Sequence, residues 1–87
     1  MDNKWYEFFN KSNGLTIAYI KEHELASKYY SLTDKEFLFE EMRQNAEKLE
    51  YKVLVEGSWA GTFKYKTHAE KFNQELFKGK GIISPIN

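Results

Sequence analysis

The sequence predicts a small single-domain α+β protein: antiparallel β-hairpins packed against two or three helices in two layers, in the order ββααββα. Three observations carry that expectation. Residues 51–78 read as two short strands, a Gly-bounded turn, a Thr cap and a helix. Thr33-Asp34-Lys35-Glu36 has the form of a capping box that opens another helix. Asn13-Gly14 is a hairpin signal between two apolar segments.

From the N-terminus, Trp5 to Phe9 has strand composition, and Leu15 to Ile20 reads as its hairpin partner across Asn13-Gly14. Leu25, Ala26, Tyr29 and Tyr30 then predict a short helix near 22–30. The next helix is expected over 34–50. Thr33 would cap it, and Leu32 and Phe37 would staple it. Phe39, Met42, Ala46 and Leu49 would form its buried stripe.

In Tyr51 to Glu56, alternate residues point to opposite sides: Tyr51, Val53 and Val55 one way, Lys52, Leu54 and Glu56 the other. The turn is expected at 57–61 and the second strand at 62–66. Thr67 and Glu70 suggest a capping box for a helix whose stripe is Ala69, Phe72 and Leu76. Gly79 suits its C-terminal turn. The domain is expected over 1–80, with 81–87 as an extended C-terminal tail. A faint echo runs through the chain: Tyr6 and Tyr51, like His23 and His68, lie 45 residues apart. That spacing suggests a doubled ββα unit.

A chain of 87 residues buries a modest fraction of its surface. Its 17% aromatic content supplies large rings that make a small core efficient. There is no cysteine, hence no disulfide framework and no thiolate metal site. No secretory leader is read at Met1 to Asn10, and no apolar run reaches the ~20 residues of a spanning helix. The expectation is a cytoplasmic protein with no membrane partner. Lysine outnumbers arginine 12 to 1, as an AT-rich genome would produce. A phage or mobile-element origin, in a host cytoplasm, is the corresponding expectation.

The net charge of zero is a cancellation. Residues 1–50 hold 7 basic and 10 acidic side chains, and residues 51–87 hold 6 and 3. A molecule polarised in this way can offer one side to a polyanion.

No catalytic constellation emerges. His23-Glu24-Leu25-Ala26-Ser27 starts like a metalloprotease helix but has Ser where the second histidine belongs. His68-Ala69-Glu70 has the His-x-Glu of zinc deaminases without their further ligands. The serines lack a nucleophile elbow, and the five glycines form no phosphate loop. The expectation is a protein without enzymatic activity, metal or cofactor. The strand–turn–strand–helix pattern of 51–78 resembles small sheet-plus-helix modules that bind nucleic acid, integrase arm-binding domains among them. That resemblance implies a nucleic-acid partner.

Two function classes follow. In the first, the chain regulates or inhibits a nucleic-acid or ribonucleoprotein partner, with single-stranded RNA favoured. Lys52, Lys64, Lys66 and Lys71 would contact phosphates, and Trp59, at the crown of the turn, would stack on a base. The plain alternative is that these lysines only keep an exposed sheet soluble. In the second class, the chain is a protein-binding inhibitor or adaptor, of anti-defence or host-takeover type. It would dock the acidic helix 34–50 on a nucleic-acid-binding host protein through Glu36, Glu40 and Glu41. Acids leading that helix argue against its entering a DNA groove.

Overall fold

A computed structural model describes residues 4–33, 36–42 and 48–86. In chain order the elements are β1 (Trp5–Asn10), β2 (Thr16–Lys21), α1 (His23–Leu32), β3 (Phe37–Glu41), β4 (Tyr51–Val55), β5 (Ser58–Phe63), α2 (Lys66–Phe77) and β6 (Ile82–Pro85). The strands form one antiparallel sheet in the order β3-β1-β2-β5-β4-β6. The protein is thus α+β, but ββαβββαβ rather than ββααββα. No helix among the described residues is long and apolar enough to cross a membrane.

The β1–β2 hairpin forms around Asn13-Gly14 as expected. Gly14 takes φ 73°, which suits a residue without Cβ. The Asn10 and Asn13 side chains each accept a backbone N–H two residues on. α1 runs two residues beyond its expected end. Thr33 closes it, its N–H and its hydroxyl both donating to the Tyr30 carbonyl.

That closure overturns the helix expected at 34–50. Thr33 ends one helix instead of starting the next, and Phe37–Glu41 is a strand. Asp34 and Ala46 of the expected helix lie outside the described residues. The tertiary reason is a free sheet edge. β3 covers the outer side of β1, and Phe39 stacks on Phe8 with ring centroids 5.0 Å apart. A run of Phe-Leu-Phe-Glu-Glu can alternate as easily as it can coil, so the partner decides.

The second hairpin is tighter than expected. Its turn is Glu56-Gly57, both at positive φ, and not 57–61. Trp59 therefore lies within β5, opposite Leu54, and does not crown a turn. α2 starts at Lys66, with Tyr65 as its cap and no side-chain capping bond, so Thr67 sits inside the helix. At its other end Lys78 (φ 54°) and Gly79 (φ 79°) reverse the chain, as the position of Gly79 suggested. The tail is extended and joins the sheet: Ile82–Pro85 pairs with β4 as an edge strand.

Both helices pack on one face. Their buried side chains Ala26, Tyr29, Ala69 and Phe72 meet Phe8, Ile20, Val53 and Phe63 from the sheet. The Tyr29 ring touches those of Phe8, Phe63 and Phe72 at 5.4–5.7 Å. Each of these fully buried rings contributes about 2–3 kcal/mol. Gly61 leaves room for that packing, since a Cβ there would lie 3.0 Å from the Phe63 ring.

The strand order reads the same from either edge: β3-β1-β2 mirrors β6-β4-β5. The central pairs Ala18–Phe63, Tyr19–Thr62 and Ile20–Gly61 put a pseudo-two-fold axis through Tyr19 and Thr62. Rotation about that axis superposes Tyr6 on Tyr51, Phe8 on Val53 and Phe39 on Ile83. Even the irregularities repeat. One extra residue, Ile17 in β2 and Ala60 in β5, bulges each hairpin at matching positions. The chain is a ββαβ unit used twice.

Candidate functional site

Among the described residues, the other face of the sheet carries no helix. Because strand side chains alternate, it holds Trp5, Glu7 and Phe9 from β1, Tyr19 and Lys21 from β2, Trp59 and Thr62 from β5, and Lys52 and Leu54 from β4. It is not bare. Met42, just after β3, and Lys48 and Leu49, ahead of β4, stand against its Trp5, Tyr19, Trp59 and Thr62. Leu49 is buried, and so are Tyr19 and Thr62.

Between these side chains lies a half-open cavity of about 280 Å³. Trp5, Trp59, Tyr19, Leu49, Met42 and Ile86 supply its apolar walls; Lys48 and Thr62 supply its polar groups. The two indoles meet edge to face, 6.1 Å between centroids and 84° between planes. Trp59 is held firmly, its Nε1 donating to the Gly61 carbonyl at 3.0 Å and to Thr62 Oγ1 at 2.8 Å. Trp59 is nonetheless 42% exposed, and Lys52 Nζ stands 5.6 Å from its ring centroid.

Of the five side chains expected to bind nucleic acid, the structure brings Lys52 and Trp59 together. Lys64 follows Thr62 toward the opposite end of the strand, roughly 15 Å along the chain from Trp59. It lies over the Tyr65 ring at 5.7 Å. Lys66 and Lys71 belong to α2, in the layer across the sheet, and Lys71 Nζ donates to the Leu32 carbonyl at the end of α1. The five do not form one patch, because β5 ends at Phe63 and the chain then crosses to the helix side. Sequence reasoning missed Trp5, Lys48 and Thr62. Alternation could have placed Trp5 opposite Phe8, but nothing local told which face of β1 stays free of helices.

The acidic residues separate too. Glu36 precedes β3, while Glu40 and Glu41 point to opposite sides of it. Glu41 pairs with Lys4 at 3.6 Å. The only other ion pair among the described residues is Lys28–Glu24. Lys52 and Lys64 thus have no carboxylate partner among those residues.

A second, smaller recess lies where the β1–β2 turn, the start of β3 and the start of α2 meet. His68 stands in it between the rings of Phe37 and Tyr65, at 5.8 and 5.4 Å. Burial and the nearby Lys71 charge hold its pKa below the ordinary 6.5, and Glu36 acts the other way. Its Nδ1 is buried without a hydrogen-bond partner among the described residues. No three His, Cys, Asp or Glu side chains among them come close enough to hold a metal.

Compared with protein-family models, with curated proteins and with solved structures, the chain finds no match.

Proposed function

We propose that this chain is a non-enzymatic binding protein that holds single-stranded nucleic acid, RNA above all, on the helix-free face. It regulates or inhibits its partner by occupancy and not by turnover. One observation carries the reading: an exposed indole, fixed by its own N–H, with a lysine amine over its ring that meets no carboxylate among the described residues. A fixed ring loses little freedom when a base stacks on it, and the amine can pass from the ring to a phosphate. Lys48 and Lys21 border the same region and add to its positive charge.

The test is binding of a labelled, mixed-sequence single-stranded RNA followed by anisotropy at two salt concentrations. Three lysine–phosphate contacts predict about a twentyfold loss of affinity between about 50 and 200 mM salt. Lys52→Glu should remove most binding, whereas Lys66→Glu, in the other layer, should change it little. Binding that ignores salt, or that is lost equally in both variants, would count against the reading.

The protein-docking reading moves from a helix to a sheet edge. β3 pairs only with β1 among the described residues, and it exposes Leu38 and Glu40. A partner strand could extend the sheet there. Leu38→Pro would then abolish a stoichiometric complex while leaving RNA binding intact.

A further inference from the structure

We propose that the cavity between Trp5 and Trp59 takes the base of one unpaired nucleotide, with its phosphate on Lys48 and Lys52. The inference rests on the single-strand reading and names what that face would hold.

The cavity's chemistry selects the ligand. Its volume, about 280 Å³, sits at the small end of ligand sites and suits a single flat ring system. The perpendicular indoles let such a ring lie face-on to one and edge-on to the other, both favourable arrangements. Thr62 contributes the polar handle. Its Oγ1 accepts from Trp59 Nε1, and its own hydrogen has no acceptor among the described residues. Thr62 lines the cavity wall, so its hydroxyl can turn that hydrogen to an acceptor held there. Lys48 is the one charged side chain among the described lining residues, and no acid joins it. Lys52 extends the positive rim across Trp59. A purely apolar ligand would leave the Thr62 hydrogen and both amines unused. A nucleobase offers a flat ring, acceptors on its edge and an anion a few bonds away. One chemistry thus meets all three features.

Both tryptophans of the chain line this cavity, so intrinsic fluorescence reports on it directly. Nucleoside monophosphates titrated into the intact protein should quench that emission, and ribose phosphate should bind about tenfold more weakly or worse. An oligoribonucleotide should likewise bind about tenfold more tightly than an abasic oligomer of the same length. Thr62→Val should erase part of that preference while leaving the salt dependence unchanged. Should that variant misfold, the titrations on the unaltered protein still decide. Equal affinity for the RNA and the abasic oligomer would overturn the base pocket, and base stacking on Trp59 with it, and leave only phosphate binding by the lysines. Failure to bind either oligomer would overturn both.

Discussion

The two halves of the molecule, Trp5–Glu41 and Tyr51–Pro85, share a frame and differ in what they place on it. On the helix side they correspond closely. Ala26 and Ala69 are both fully buried, Tyr29 matches Phe72, and the bulges at Ile17 and Ala60 coincide. On the helix-free side they diverge. Glu7 of the first half stands where the second has Lys52, and Trp5 stands where it has Glu50. The last strands are secured differently as well. Phe37 buries its ring at the start of β3, whereas at the matching place Gly81 pairs its backbone with the Asn73 side-chain amide. Packing under two helices leaves few side chains that fit, so the halves agree there. A face without that constraint can vary, and this is where the aromatic and charged groups of the candidate site gather.

The strongest way to break the comparison is to truncate the matching rings. Tyr29→Ala and Phe72→Ala should each cost about 3–5 kcal/mol in urea unfolding. A value below about 1 kcal/mol for one of them would show that the halves do not share the core equally. The two rings also differ in a way that pH exposes. Burial pushes the Tyr29 hydroxyl from 10.0 up to about 12. Between those values the unfolded chain has lost the proton that the folded one keeps, so stability falls as pH rises. The loss approaches about 2–3 kcal/mol by the upper limit. Tyr29→Phe, which makes the halves alike, should remove that alkaline sensitivity.

Gly81→Ala tests the second half's own fastening. Its new Cβ would lie 2.6 Å from Asn73 Oδ1, and opening that amide pair should cost about 1–3 kcal/mol. A charge swap sharpens the contrast on the other face. Glu7→Lys gives the first half the cation of the second and should strengthen RNA binding, steepening the logarithmic salt slope by about 0.7. An unchanged slope would place the phosphates elsewhere.

The smallest effect is at His68, which has no counterpart in the first half, where Leu25 takes the matching place. Its pKa is lower in the folded state than the ordinary 6.5. The unfolded chain therefore binds the proton first, and stability falls as pH drops from about 6.5 toward the folded value. His68→Gln should flatten that part of a pH–stability profile, and an unchanged profile would exclude the histidine as its source.

What the sequence determined by itself was local chemistry. Asn13-Gly14 and the alternation of Tyr51 to Val55 fixed hairpins, and Gly79 fixed the end of α2, because those residues carry their own backbone preferences. The α+β class followed from such signals. The company of Lys52 and Trp59 did not, since it is the bulge at Ala60 that brings Trp59 from its expected turn onto the side of Lys52. Pairing between distant segments was decided only by tertiary structure. Phe37–Glu41 became a strand because β1 had an edge to cover, and Ile82–Pro85 because β4 had another. Thr33 could cap either of two helices, and the choice depended on what followed in space. Trp5 of β1, Thr62 of β5 and Lys48, ahead of β4, come together from three distant stretches of chain. No window of sequence contains them, since strand alternation says which residues share a face but not which face the helices will cover.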